Sequence, residues 1–157
     1  MKKFDEQFYK DRVNAVPFVK LMKMKLLSSA GGKSVMRCTI CPVLRNTAGT
    51  LHGGVMGALV DMSVATALRS VMPLSSWMTT VEYKVNFLKP VSKGTVTAHG
   101  SILRLGTTIA AGSTEIRNGE GEIVAFGSAT FYILKKKETR TPPAIMGGTK
   151  GRGNKRK

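Results

Sequence analysis

The stretch LHGGVMGALVDMSVATALRS, residues 51–70, decides the fold of this 157-residue chain. Apart from Asp61, every residue between 53 and 68 is apolar or small, so a helix built from them avoids water on all sides. Pro73 marks the end of the pattern. We therefore predict a helix over about 53–71 that is buried on most sides. The single carboxylate within it needs an explanation, because an unpaired buried charge is costly.

The segments around this helix have the period of strands. Four β-type runs follow it, with turn signals at Lys93-Gly94, Gly106 and Asn118-Gly119: 78–91, 93–106, 107–119 and 121–137. We expect these runs to form an antiparallel meander with a tight hairpin at Asn118-Gly119. The expected elements before the helix are a first helix with a break or bend at Pro17, two strands joined at Gly31-Gly32, and a loop: 4–22, 23–31, 33–42 and 43–52.

A single sheet can bury such a helix only by curving around it while a partner covers the rest. Small residues keep the helix thin enough for close wrapping, namely Gly57, Ala58, Ser63, Ala65 and Ala67. The predicted fold class is therefore α+β. The predicted architecture is the hotdog fold, a long central helix wrapped by a curved antiparallel β-sheet.

Length and composition fit one folded domain, since apolar residues make up 42% of the chain. The net charge of +16 is concentrated, because residues 135–157 hold nine Lys and Arg against one Glu. We expect a domain over 1–137, with an N-terminal helical segment over 1–22, and a basic, disordered tail over 138–157. The tail is a solvated segment or a contact for nucleic acid, anionic lipid or a phosphate-bearing ligand. Its lack of interleaved aromatics weighs against single-stranded nucleic acid.

The sequence also bears on location. No apolar run is long enough to span a bilayer. Asp5, Glu6 and Asp11 stand near the N-terminus, where a secretory signal needs an apolar stretch and a transit peptide avoids acids. We therefore expect an intracellular protein of the cytoplasm, with the mitochondrion as the alternative.

Cys38 and Cys41 form a C-x-x-C. Alternation along a strand would turn the two thiols to opposite faces. The chain has only His52 and His99 to complete a zinc site. We therefore expect no metal and no redox role, and we expect His99 to be structural.

Two motifs stand out in the chain: N-x-x-G-T-L-H-G-G at 46–54, followed by L-V-D at 59–61, and TTVEYKVNFLKPV at 79–91. Together they resemble the motifs of PaaI-type acyl-CoA thioesterases of the hotdog superfamily. The similarity covers about 46–134 and, more loosely, 23–45. It implies a homodimer, usually paired into a homotetramer, that hydrolyses acyl-coenzyme A thioesters without a metal. Coenzyme A is then part of the substrate, and no cofactor is expected.

The resemblance implies roles for individual residues. Asp61 is the general base or the nucleophile, and Asn46 orients the attacking water or the sulfur. The alternative for Asn46 is a turn residue, which is a common use of Asn. Thr80 holds the water or Asp61, with Thr79 as the neighbouring candidate. His52 more readily shapes the loop and packs at an interface than acts as the base.

The spacing of Gly53 and Asp61 bears on how the site is assembled. The N–H groups of Gly53 and Gly54 open the predicted helix without intrahelical partners, and the helix dipole adds positive potential there, so they can bind a carbonyl oxygen. Asp61 lies eight residues further on, about 12 Å along the axis. One helix cannot easily bring both to the same carbonyl, whereas an antiparallel partner helix in a two-fold dimer can. We therefore predict a site shared across a dimer interface.

The phosphates of coenzyme A require basic residues at the rim of such a site. Lys89, Arg104 and the lysines at 135–137 are candidates at strand ends. The family often has a basic residue shortly after the glycine of the turn at Gly106. This chain has threonines there, so Arg104 is expected to substitute.

Other functions remain open at this point. One is a hotdog module that binds acyl-CoA without hydrolysing it, and another is a hotdog dehydratase or hydratase with a catalytic His near the central helix. A lone Asp61 behind His52-Gly53-Gly54 fits hydrolysis better. A nucleic-acid-binding protein is the most distant alternative. The methionines are either core filler or a pliable acyl channel, because Met adapts to different shapes.

Overall fold

The structure is a computed structural model that describes residues 4–135. The predicted tail over 138–157, the domain boundary at 137 and the lysines at 136 and 137 lie outside the described residues. In chain order the elements are α1 (Glu6–Ala15), α2 (Pro17–Leu21), β1 (Met24–Ala30), β2 (Lys33–Thr39), a 3-10 turn (Pro42–Leu44), α3 (Gly53–Arg69), β3 (Ser76–Phe87), β4 (Thr95–Leu105), β5 (Ile109–Arg117) and β6 (Ile123–Lys135). None of the helices between residues 4 and 135 is both long and apolar enough to cross a membrane.

The predicted elements are present with shorter bounds. The predicted break in the first helix is confirmed, since α1 and α2 are separated at Val16, directly before Pro17. The second strand ends at Thr39 rather than 42, because Pro42 begins the 3-10 turn. The predicted tight hairpin at Asn118-Gly119 is wrong in its detail. The Asn118 N–H donates to the Glu122 carbonyl at 3.0 Å, and the left-handed residue is Gly121, with φ +83°, so the turn is longer.

The strands form one six-stranded antiparallel sheet with the order β1-β2-β4-β5-β6-β3. The predicted four-stranded meander is therefore correct only for β4, β5 and β6. Strand β3 lies beside β6, from Ser76 opposite Lys135 to Phe87 opposite Ala125. It cannot pair with β4 because β2 already occupies that edge. The segment 88–94 carries the chain from β3 to β4 across the sheet instead of closing a hairpin.

Helix α3 lies in the curve of this sheet, and every strand contacts it. Leu59, Val60, Val64 and Leu68 have no exposed surface. The sheet approaches the helix closely at Gly100, where an added methyl group would lie 2.5 Å from the Ser63 carbonyl oxygen. The predicted wrapped helix is confirmed. Some side chains along one side of α3 are only half-buried, namely Ala58, Asp61, Met62, Ala65 and Arg69.

The two edge strands differ in what lies beside them. Helix α1 covers β1, because the Asn14 side chain accepts from the Leu26 N–H at 2.7 Å and donates to the Leu26 carbonyl at 3.1 Å. Glu6 adds a bond, since its carboxylate accepts from the Ser29 N–H at 2.9 Å. Strand β3 is twelve residues long, and within residues 4–135 no strand pairs with its outer edge.

The cysteines show no arrangement for metal binding. Cys38 is buried on β2, Cys41 is half-buried, and both are free thiols. Burial raises the pKa of the Cys38 thiol to about 11, which keeps it protonated and poorly nucleophilic near neutral pH. Among residues 4–135 there is no group of three or more His, Cys, Asp or Glu placed to hold a metal ion.

Candidate active site

The loop before α3 is held by Asn46. Its side-chain oxygen accepts from the N–H groups of Ala48 and Thr50 at 3.0 and 3.1 Å, and its amide nitrogen donates to Thr50 Oγ1 at 3.0 Å. A bridge between Arg45 and Leu51 closes the loop. Asn46 is therefore a turn residue that shapes the approach to α3. One of its two amide hydrogens has no acceptor within the described part of the chain.

His52 caps the start of α3. Its Nδ1 accepts a hydrogen bond from the Gly54 N–H at 2.9 Å. With Nδ1 as the acceptor, Nε2 is the ring nitrogen left to donate a hydrogen bond. The cap gives the Gly54 N–H an acceptor, whereas the neighbouring Gly53 N–H has no partner among residues 4–135. That free N–H points out of the helix start, where the dipole is positive.

Asp61 lies about two turns further along α3, and its side chain is hydrogen-bonded to strand β3. Thr80 Oγ1 donates to Asp61 Oδ1 at 2.8 Å. Burial raises the pKa of the Asp61 carboxyl above its ordinary value, and the Thr80 hydrogen bond partly opposes that rise. A carboxylate held by one hydroxyl, with its pKa moved towards neutral pH, is suited to accept a proton.

A β-bulge decides which threonine reaches Asp61. The register of β3 against β6 shifts between Thr80 and Glu82, so Val81 is the extra residue. Thr80 lies opposite the buried Phe131 and faces the helix, whereas Thr79 lies opposite Tyr132 on the other side of the sheet. The structure therefore brings Thr80, and not Thr79, to the carboxylate.

Two aromatic residues of β3 belong to this region and were missed by the sequence analysis. The Phe87 ring covers Gly53, where an added methyl group would lie 3.1 Å from Cζ. Tyr83 covers Gly57 in the same way, at 3.2 Å from Cε2. Both rings are about half-exposed, at 59% and 50%. The motif at 79–91 contains both aromatic residues, and their presence in that strand was the signal that the sequence offered.

The predicted catalytic groups do not all meet within one chain. Gly53 and Asp61 are on the same helix, eight residues apart, and a regular helix separates them by about 12 Å. A thioester carbonyl bound at Gly53 is therefore out of reach of Asp61 in the same copy. One chain holds the two parts of the site at separate places.

The predicted contacts for coenzyme A phosphates are also apart. Lys89 forms an exposed ion pair with Glu122 at 2.8 Å beside the start of β6. Arg104 is exposed and opposite Ala111, which is itself opposite Thr130, further along β6 and away from its start. The structure does not bring these two cations together. His99 lies on the exposed face of β4, opposite Glu115.

Comparison with known proteins shows the family and the fold to which this chain is similar. A family model described as "Thioesterase superfamily" matches residues 48–125. Acyl-coenzyme A thioesterase 13 of Mus musculus is 30% identical over 117 residues, which cover 72% of this chain and 81% of that protein. A mutant of the phenylacetic acid degradation protein PaaI from Thermus thermophilus superposes with a TM-score of 0.68 at 25% identity, covering 74% of this chain and 98% of that one. Thioesterase HI1161 of Haemophilus influenzae gives 0.78 at 20% identity, covering 85% and 93%. The last likeness confirms the predicted fold class.

Proposed function

Because this chain belongs to the thioesterase superfamily, with a PaaI-type hotdog fold, it is a thioester hydrolase, and we propose that it hydrolyses acyl-coenzyme A at a site shared by two copies. The observation that carries the proposal is the separation, along one helix, of Asp61 from the Gly53 N–H, which has no partner in the described part of the chain. Hydrolysis needs both groups at one carbonyl.

The helix start supplies the oxyanion site. As water attacks the thioester carbon, negative charge develops on the carbonyl oxygen. The Gly53 N–H donates to that oxygen, and the helix dipole favours the charge. His52 contributes by capping Gly54, which fixes the first turn of α3. The spare amide hydrogen of Asn46 is available to the water or to the sulfur.

Asp61 supplies the activation of water. As a general base it takes a proton from water while the water oxygen bonds to the thioester carbon. The tetrahedral intermediate then collapses, the C–S bond breaks, and the leaving thiolate recovers the proton from Asp61. As a nucleophile, Asp61 would instead bond to the thioester carbon while the C–S bond breaks and coenzyme A leaves as the thiolate. Water would then cleave the resulting mixed anhydride to the free acid and regenerate the Asp61 carboxylate. Thr80 orients the carboxylate in either route.

A second copy of the chain fits beside β3 and the half-buried side of α3. No strand in the described range 4–135 pairs with the outer edge of β3, so its twelve residues offer backbone hydrogen bonds to another strand. In an isologous two-fold contact, antiparallel α3 helices bring Asp61 of each copy towards Gly53 of the other. Such a dimer contains two sites, each with one residue from either chain.

Mixed dimers test the shared site. Gly53→Pro removes the N–H itself, and proline is accepted at the first helical position. His52 is already extended, with ψ 135°, as a residue before proline must be. Gly53→Ala is the matched control, because it adds a similar Cβ beside Phe87 and keeps the N–H. Gly53→Pro and Asp61→Ala should each be nearly inactive, while Gly53→Ala retains more activity.

Refolding the two inactive variants together gives about half heterodimers if association is random, each with one intact site. The expected activity is then about a quarter of the wild-type value. The measurement is thiol release from acyl-CoA, with heterodimers counted by native mass spectrometry. Activity no greater than the sum of the two variants, with heterodimers present, would show that each copy builds its own site. A wild-type protein that binds acyl-CoA without releasing thiol would be a binding module instead.

A further inference from the structure

A cavity of about 390 Å³ lies between α2, the 3-10 turn and the start of α3. The apolar residues that line it come from all three elements: Phe18, Met22, Val43, Leu44 and Val55. Its volume falls within the range of small-molecule sites in proteins. None of these five residues takes part in the proposed hydrolysis.

The cavity adjoins the proposed oxyanion donor. His52 and Gly54 also line it, and these residues flank Gly53 in the chain. A thioester held by the Gly53 N–H therefore has its carbonyl at the mouth of the cavity. One substituent of that carbonyl can enter the apolar space while the other leaves towards solvent.

The rim of the cavity carries apolar side chains that water partly covers. Phe18 is 47% exposed and Val43 is 76% exposed. A bound apolar chain would cover both, and each buried methylene group would gain about 0.8 kcal/mol, which is about fourfold in affinity. Phe18 and Arg45 also line the cavity, but most of its apolar lining is the aliphatic Val43, Leu44 and Val55 and the flexible Met22, which suit a chain without a fixed shape.

We propose that this cavity binds the acyl chain of the substrate, that the preferred substrates are straight-chain aliphatic acyl-CoAs longer than acetyl, and that Phe18 and Val43 set the preferred length. The assignment rests on the proposed function for its substrate class. Coenzyme A, being large and polar, then lies outside the cavity.

Binding of S-alkyl-coenzyme A thioethers tests the assignment without requiring hydrolysis. For the wild-type protein, Kd should fall by up to about fourfold per added CH₂ from methyl upwards, and then level off when the cavity is full. Phe18→Ala should raise the Kd of the octyl thioether by about tenfold and leave the methyl thioether within about twofold. Val43→Trp adds bulk at an exposed position, so the levelling should occur at a shorter chain.

Leu21→Ala is the matched control, since Leu21 is on α2, is 67% exposed and does not line the cavity. It should reproduce the wild-type series, and thermal melts would check that all variants are folded. A flat wild-type series, an equal response of Phe18→Ala and Leu21→Ala, or tighter binding of a phenylacetyl analogue than of the octyl one would each overturn the assignment. Chain-dependent binding without hydrolysis of any acyl-CoA would leave the cavity assigned and remove the proposed function.

Discussion

The two edge strands of the sheet differ in length and in what covers their outer sides. Strand β1 is seven residues long and is covered by α1, whose Asn14 side chain pairs with both backbone groups of Leu26. Strand β3 is twelve residues long, and no other strand within residues 4–135 pairs with its outer edge. Proteins commonly protect an edge strand from pairing with other chains. Within residues 4–135, only the β1 edge is covered in this way.

Asp61 and Gly53 both lie against β3, the edge strand whose outer side is unpaired within residues 4–135. Thr80 of β3 bonds to Asp61, and Phe87 of β3 covers Gly53. Helix α1 contributes hydrogen bonds to β1 but none to these residues. We therefore expect substitutions beside β3 to change activity more than stability, and substitutions between α1 and β1 to do the reverse.

The largest effect on activity is expected for Asp61→Asn. Replacing a general base costs roughly two to four orders of magnitude in turnover. The variant should stay folded, because Asn retains an acceptor for the Thr80 hydroxyl. The measurement is kcat for thiol release, with native mass spectrometry to compare the oligomers. Near-normal turnover of a folded Asp61→Asn protein would remove Asp61 from its proposed role.

The same variant should be more stable than wild type at neutral pH. Burial raises the pKa of Asp61 in the folded protein, above about 3.9 in the unfolded chain. Between these two pKa values the folded state holds more protons, so stability falls as pH rises through that window and stays lower above it. Asp61→Asn abolishes this fall. Urea unfolding of both proteins at pH 3 and pH 7 should show a gain only at the higher pH.

A smaller effect is expected at Thr80. Thr80→Val removes the hydrogen bond that lowers the pKa of Asp61, so that pKa rises further. The acidic limb of the pH profile of kcat/KM should move to higher pH. On that limb kcat/KM should fall by roughly tenfold, the scale of one hydrogen bond to a charged group. Thr80→Ser keeps the hydroxyl and should retain the wild-type profile. Equal profiles for Val and Ser would mean that Thr80 does not act on the carboxylate.

The difference between the edges also separates what the sequence could predict from what it could not. Helix α3 was predicted from local information, since its apolar residues, Gly53 at its start and Pro73 beyond its end are all contiguous. The neighbour of β3 was predicted wrongly, because alternation shows where strands are and not which strands pair. The clue was the segment 88–94, which contains Pro90 and is long for a hairpin.

The site was predicted only in part, because local sequence does not show which residues meet in space. Asp61, Gly53 and Thr80 were identified through motifs, and the structure places Thr80 against Asp61. The choice between Thr79 and Thr80 depended on the bulge at Val81, which strict alternation does not reveal. Only the three hydrogen bonds of the Asn46 side chain to Ala48 and Thr50 show that this residue holds the loop together.

The smallest effect on activity is expected on the protected edge. Asn14→Ala removes two hydrogen bonds to Leu26 and leaves the backbone groups of β1 uncovered. At about 0.5–1.5 kcal/mol for each bond, the free energy of unfolding should fall by about 1–3 kcal/mol. The kcat/KM for acyl-CoA should stay within about twofold, because Asn14 contacts none of the groups at Gly53 or Asp61. Gln7→Ala is the matched control, since it breaks an exposed side-chain bond to Asp11 on the same helix. Its stability should change by less than about 0.5 kcal/mol.

If uncovering β1 lets a second chain pair there, light scattering will show assemblies in Asn14→Ala that Gln7→Ala lacks. The cover over β1 would then be what confines association to β3. A loss of activity in Asn14→Ala without a loss of stability would mean that α1 acts on the site, and the division between the two edges would be wrong.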